Sequence, residues 1–207
     1  WLPEPIVTEA PPDRHLDLAD DLSIAFLTLL ERLAPEERAA FLLHDVFDVG
    51  YEKIASVIER SEAACRQVVH RARERVRGER KRFDVTESAK AAMLHRFTAA
   101  MRARDEQALL ALFAPDATWT ADGGGKTAAG RLPIVGAARI AKLAVGLWDK
   151  FWAENRTLEI ATVNGETGLC LFDGDSLTAT ISIATDGERI LAIYAVVNPD
   201  KLPSHTH

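Results

Sequence analysis

The chain has 207 residues, enough for one large domain or for two small domains that each bury a core. Hydrophobic residues make up 47% and charged residues 27%, which is ordinary for a soluble globular protein. No apolar run reaches the ~18 residues that span a bilayer, so a membrane-spanning helix is excluded. With only two widely separated cysteines, we expect a cytoplasmic protein, and its start at Trp1 indicates a fragment.

The first part of the chain predicts a linker followed by helices. Residues 1–20 hold four of the nine prolines, which favours an extended linker. Apolar residues at helical spacing, separated by short joints, predict a compact domain of four short helices over residues 21–82. Pro35 fits the first turn of the second helix, Gly50 ends that helix, and Ser61 is suited to cap the fourth.

The fourth predicted helix is strongly basic in an acidic protein. Residues 61–82 carry eight Lys/Arg against three Glu, whereas the whole chain has a net charge of −6. Such a helix is either an ordinary solvated helix or a surface that meets phosphate. As the second helix of a helix-turn-helix it would enter the major groove, with its early residues at bases and its later arginines at phosphates. The candidate DNA-binding residues are Ser61, Glu62, Arg66, Gln67, His70, Arg71, Arg73 and Arg77.

The pattern changes after a second linker at residues 83–88. Three helices and then strands separated by NGE, DGD and DGE turns predict an α+β domain over residues 89–207, with an antiparallel sheet curled around the helices. No His, Cys, Asp or Glu cluster has metal-ligand spacing, so we expect no metal. The last predicted strand offers only Tyr194 and Asn198 as polar groups, and we expect no catalytic residue and no cofactor. The candidate pocket residues, for which core packing is the alternative, are Trp119, Trp148, Trp152 and Tyr194.

Several motifs match a known family. In the helical part they are Leu33-x-Pro35-x-x-Arg38, Phe41-Leu42-Leu43, Tyr51-x-x-Ile54-Ala55, Ser61 and Arg71-Ala72-Arg73. This part resembles region 4 of the sigma-70 family, in its extracytoplasmic-function branch. Three further motifs make the whole chain similar to SigJ-like sigma factors with a C-terminal SnoaL-like extension. They are Trp1-Leu2-Pro3-Glu4-Pro5, Asp122-Gly123-Gly124-Gly125-Lys126 and Asn198-Pro199-Asp200-Lys201-Leu202.

The resemblance implies a fold and a function. It implies a helix-turn-helix domain followed by a SnoaL-like, ketosteroid-isomerase-type cone, with region 2 of the sigma factor preceding Trp1. Region 4 would bind the upstream promoter element and the flap of the RNA polymerase β subunit. The cone domain would regulate the sigma regions by packing against them, through the loop at residues 122–126 and the tail at residues 198–202.

Two positions depart from the family pattern. Glu59 stands where the turn often has glycine, so we expect a slightly different turn there, and Val68 replaces an arginine that many members carry. Two other functions stay open from the sequence. One is a SnoaL-like isomerase or hydrolase with an accessory helical domain, which requires a buried Asp or His in a deep pocket. The other is a ligand-sensing helix-turn-helix repressor, which requires a two-fold dimer.

Overall fold

The computed structural model describes residues 2–8, 30–31, 33–80, 85–127, 129–130, 132–151 and 156–202. The chain divides into two compact units. Of the described residues, 30–31 and 33–80 belong to the helical unit, and residues 2–8 and those from Val85 onward belong to the larger unit. Most of the first predicted helix, from residue 21, and Trp152 lie outside the described residues. Within the described part of the chain, no helix is both long and apolar enough to cross a membrane.

Three helices form the described part of the helical unit. Helix α1 (Pro35–Phe41) continues as a wider π-helical turn (Leu42–Val46), and it is followed by α2 (Tyr51–Val57) and α3 (Glu62–Arg80). Pro35 occupies the first turn, as predicted. Helix α3 turns its apolar side inward, as its spacing predicts. The buried residues of that side are Cys65, Val68, Val69, Ala72 and Val76.

Three helices and six strands form the C-terminal part of the larger unit. The helices are α4 (Glu87–Ala103), α5 (Glu106–Leu112) and α6 (Ala137–Phe151). The strands are β2 (Phe113–Asp122), β3 (Ile134–Val135), β4 (Arg156–Val163), β5 (Glu166–Asp173), β6 (Ser176–Thr185) and β7 (Ile190–Val196). Thr86 and Asp105 cap α4 and α5, because their side chains accept the N–H groups of Ala89 and Ala108.

A seventh strand comes from the start of the chain, and this corrects the linker prediction. Residues 2–8 are extended, but β1 (Val7–Thr8) pairs antiparallel with β4, Val7 opposite Val163. The Ile6 N–H donates to Asn164 Oδ1 at 2.6 Å, and the Asn164 N–H donates to the Ile6 carbonyl at 2.8 Å. These residues therefore belong to the sheet of the larger unit.

The sheet has the order β1-β4-β5-β6-β7-β2-β3. All neighbours are antiparallel except β2 and β7, which are parallel, so the expectation of a purely antiparallel sheet is wrong at this pair. A parallel pair requires a long connection, and here α6 and the β4–β7 meander lie between the two strands. The main core packs α4, α5 and α6 on one face of the sheet, with Phe97, Phe113 and Ile140 fully buried.

A buried ion cluster fastens α4 to β5. Lys90 Nζ lies 2.7 Å from Glu166 Oε1 and 3.0 Å from Glu87 Oε1, and the Thr167 N–H donates to Glu87 at 2.7 Å. Burial opposes the charged form of Lys90, but the carboxylates of Glu166 and Glu87 outweigh it and raise the pKa of Lys90. The cluster therefore stays charged and holds the first helix of the domain on the sheet.

Candidate functional site

The start of helix α3 presents polar side chains away from the core. Ser61 Oγ accepts the Ala64 N–H at 3.2 Å, so Ser61 caps the helix as predicted. Glu62, Arg66, Gln67 and His70 are exposed. Arg66 is ion-paired with Glu62, and its guanidinium lies 5.2 Å from the centre of the Tyr51 ring. The ring and the carboxylate together hold the Arg66 side chain over the start of the helix.

The later arginines of α3 are paired with acids that precede the turn. Arg73 donates to both oxygens of Asp45, at 2.6–3.1 Å, and this hydrogen bond, stronger than the opposing burial, raises the pKa of Arg73. Glu37 lies 2.5 Å from Arg75 and 3.9 Å from Arg71. Each of these acids lies about 28–38 residues before its arginine in the sequence. A charge count over residues 61–82 alone therefore misses these ion pairs. The Arg77 side chain lies outside what the structure describes.

Glu59 lies in the turn before α3. It adopts a left-handed conformation with φ +55°, a conformation that glycine adopts without steric cost, and a difference from the family's turn stays a prediction. Val68, at 5% exposure, packs into the core beside Ile54 and Val69. In this chain the side chain at position 68 therefore contributes to the core of the helical unit.

The glycine loop and the tail of the chain meet each other in the larger unit, and we call residues 122–126, residues 198–202 and Leu2 together the clamp. Its centre is Lys201 Nζ, which donates to Asp122 Oδ2 at 2.7 Å and to the Leu2 carbonyl at 2.5 Å. The Asp122 side chain is only 2% exposed. The clamp therefore joins the end of β2, the tail and the N-terminal segment.

Shape complementarity reinforces the clamp. Gly124 has φ +58°, and a Cβ on it would lie 2.5 Å from the Asn198 side chain, so only glycine fits. Lys126 Nζ pairs with Asp200 Oδ1 at 2.6 Å on the surface. The tail itself is turned, because Lys201 and Leu202 donate to the Asn198 carbonyl, and Leu202 is buried. Contacts of these residues with other sigma regions stay a prediction.

A cavity of about 410 Å³ lies inside the larger unit, between the helices and the sheet. Trp119 and Trp148 line it, as predicted, whereas Tyr194 and Asp122 do not. The alternation of strand β7 explains Tyr194: its neighbour Ala195 lines the cavity, and Tyr194 points to the other face. Other residues that line the cavity include Thr127, Ala129, Leu132, Lys150, Arg156, Leu171, Thr178, Ala179 and Val197.

The walls of this cavity are mostly apolar. Lys150 and Arg156 are the titratable residues among the described lining residues, and Arg156 is ion-paired with Asp173 at 3.3 Å. The described lining therefore contains no Asp, Glu or His, the residue types that isomerases and hydrolases of this fold need for proton transfer. His95, the histidine of helix α4, is exposed on that helix.

Comparison with known proteins agrees with both units. The family model for sigma-70 region 4 matches residues 23–76. ECF RNA polymerase sigma factor SigJ of Mycobacterium tuberculosis is 34% identical over 97% of this chain and 68% of its own length. A probable ECF sigma factor of the same species, SigI, is 27% identical over 95% of the chain and 65% of its own length. The chain thus spans about two thirds of these relatives.

Structural comparison extends this similarity to the fold. The crystal structure of M. tuberculosis SigJ matches with a TM-score of 0.74 and 32% identity, covering 97% of this chain and 72% of the SigJ chain. The match includes the helical unit and the curved-sheet domain, so the predicted fold class is confirmed. On these comparisons, the chain belongs to the extracytoplasmic-function (ECF) family of RNA polymerase sigma factors.

Proposed function

We propose that this chain is the promoter-reading and regulatory part of its sigma factor. Region 4 binds the upstream promoter element in the cytoplasm and contacts the flap of the RNA polymerase β subunit, and the C-terminal domain restrains it without catalysing a reaction. The observation that carries the DNA part is the exposed start of α3, where Glu62, Arg66 and Gln67 lie opposite the buried side of the helix. The polymerase part rests on family membership.

The pairing of the arginines divides their roles. Arg66 is held by Glu62 and Tyr51 at the helix start, the part of a recognition helix that reaches base edges. Arg73 and Arg75 have part of their charge neutralised by Asp45 and Glu37. We therefore assign base recognition to the helix start and expect the total phosphate contribution to be smaller than the charge count implies.

The Arg66→Ala variant tests the DNA part. We expect its dissociation constant for an upstream-element fragment, selected from a random-sequence pool by this chain, to rise about 5- to 100-fold, with relaxed preference at one base step. Arg139→Ala is the matched control, because Arg139 is an exposed arginine of α6 in the other unit. Fluorescence anisotropy at several salt concentrations measures both. Equal affinities of Arg66→Ala and the parent chain would contradict the assignment.

The clamp supports the regulatory part. It holds the segment at residues 2–8, which precedes the region 4 match at residues 23–76 in the sequence, so the C-terminal domain binds chain from both ends of the sequence. The mostly apolar lining of the cavity, which contains no Asp, Glu or His among its described residues, supports regulation over an isomerase or hydrolase function. Family membership favours a sigma factor over a dimeric repressor.

The Lys201→Met variant tests this restraint. Removing the ammonium group leaves the buried Asp122 carboxylate without its ion pair, so the clamp should open. We expect faster amide hydrogen exchange in residues 2–8 and affinity for the same DNA fragment increased at least ~5-fold. Lys126→Met is the control, because its partner Asp200 is exposed and the pair contributes little. Faster exchange with unchanged DNA affinity would leave the clamp with a structural role only.

A further inference from the structure

The cavity and the clamp share two segments of chain. Thr127 lines the cavity and directly follows Lys126, and Val197 lines the cavity and directly precedes Asn198. Both segments are tied at their junctions: the Val197 N–H donates to the Asp122 carbonyl at 2.9 Å, and the Thr127 N–H donates to the Gly123 carbonyl at 3.2 Å. A molecule inside the cavity would therefore contact the residues next to each half of the clamp.

The junction between Gly123 and the cavity-lining residues Thr127 and Ala129 is tightly packed. A Cβ on Gly123 would lie 2.4 Å from Thr127 Oγ1 and 2.8 Å from Ala129 Cβ, so the cavity-lining residues pack directly on the clamp glycine. Leu132, in the same loop, is 81% exposed although it lines the cavity. An apolar side chain left so exposed at the rim gains burial when an apolar molecule fills the cavity below it.

The chemistry of the walls defines the molecule that would fit. Leucine, isoleucine, alanine and tryptophan side chains dominate the described lining. The Thr178 hydroxyl already donates to the Leu171 carbonyl, Arg156 is paired with Asp173, and Lys150 also has an interaction partner, so none of these polar groups requires a charged ligand. Trp119 is buried in the cavity wall, and its indole N–H, a donor with no acceptor capacity, suits a ligand that carries one acceptor. A cavity of about 410 Å³ suits a molecule of drug-like size.

We propose that the cavity is an effector site for an uncharged, lipophilic small molecule with one hydrogen-bond acceptor, and that its binding tightens the clamp. The ligand would bury Leu132 and pack on Thr127 and Val197, and this stabilises the position of Asp122 and hence the contact of Lys201 with Leu2. This inference rests on the proposed restraint of region 4 for its biological meaning, but the binding site and its effect on residues 2–8 are tested without DNA or polymerase.

The binding half is tested with Nile red, an uncharged lipophilic dye that carries a carbonyl and fluoresces when it leaves water. We expect saturable binding of one dye per chain in the micromolar range. Ala179→Phe places a ring in the cavity and should weaken binding at least ~10-fold, whereas Ala138→Phe, at an exposed position of α6, should leave it within ~2-fold.

Leu171→Trp is a second cavity-filling change at a half-buried position, for use if Ala179→Phe unfolds. Circular dichroism verifies folding of each variant. Absence of saturable binding to the parent chain would overturn the site. Binding that persists in a folded cavity-filled variant would overturn it as well, because the dye would then be elsewhere.

The coupling half is tested by amide hydrogen exchange with and without saturating dye. We expect exchange in residues 2–8 to slow at least ~3-fold in the parent chain and to stay unchanged by dye in Ala179→Phe. Dye binding that leaves residues 2–8 unaffected would overturn the effector role. Slower exchange with no change in promoter affinity would instead count against the proposed restraint of region 4, so the two proposals fail in distinguishable ways.

Discussion

Glu59 carries the backbone strain of the turn between α2 and α3. Its φ of +55° is a conformation that costs a residue with a side chain about 1–2 kcal/mol, and glycine avoids this cost. The residue is exposed, so its side chain is not needed for the core. The helix-turn-helix geometry is therefore kept at some expense of stability.

The Glu59→Gly variant should stabilise the chain. We expect a gain of about 0.5 kcal/mol in the free energy of unfolding of the helical unit, since the relief of strain exceeds the added freedom of glycine in the unfolded chain. Glu52→Gly, at an exposed position inside α2, should instead cost about 1 kcal/mol. Urea unfolding followed by circular dichroism measures both. A loss of stability on Glu59→Gly would show that the side chain itself stabilises the turn.

The ion pairs of α3 also belong to the residue scale. Asp45 and Arg73 form a bidentate ion pair in which the arginine is half-buried. Glu37 accepts a hydrogen bond from Arg75 and another from the Ala34 N–H at the start of α1. These acids fix α3 on α1 and on the π-helical turn that follows α1. Such pairs come from the tertiary fold, so the basic count of the sequence overstates the charge that is available for phosphate.

At the scale of elements, β1 is, with β3, one of the two shortest strands of the sheet. It has two residues, and its attachment depends on the ladder to β4 and on the two hydrogen bonds between Ile6 and Asn164. The side chain of Ile6 is 68% exposed. The attachment of β1 to the sheet therefore depends more on the backbone hydrogen bonds of Ile6 than on burial of its side chain. The Asn164 Nδ2 group is buried without a hydrogen-bond partner, so the loss of the Oδ1 contact would leave the whole amide unsatisfied.

Ile6→Pro separates the backbone contribution from the side chain. Proline removes the N–H that donates to Asn164, and we expect the larger unit to lose about 1–3 kcal/mol of stability and residues 2–8 to exchange faster. Ile6→Ala keeps the N–H and should change stability by less than ~0.5 kcal/mol. Thermal unfolding and hydrogen exchange give both readouts. Equal effects of the two substitutions would mean that the Ile6 side chain, rather than its N–H, attaches the strand.

At the scale of the whole molecule, the sequence predicts most of the architecture. The spacing of Cys65, Val69 and Val76 predicted the buried side of α3, and the hairpin turns predicted the β4–β7 meander. Local patterns carry this information because helices and hairpins are made of residues close in sequence. The motifs of the clamp were also recognisable, but only by resemblance.

The features that the sequence does not predict are contacts between residues that lie far apart in the sequence. A strand of two residues has no usable alternation, so β1 was interpreted as part of a linker. The contact of Lys201 with Asp122 joins residues 79 positions apart, and the contact with Leu2 spans 199. The cavity likewise arises from the curvature of the sheet over α6, which no single segment encodes.

The pairing of Val7 with Val163 has a consequence for synthesis of the protein. The ribosome makes the helical unit between these two partners, and at ~5–20 residues per second the 156 residues that separate them take roughly 8–30 s. In the second half of that interval, after residue 80 has been made, region 4 has all its described residues and can fold, while the strand before it still has no sheet to join. Under the proposed function, the helix that reads DNA is therefore complete in each newly made molecule before the clamp that restrains it.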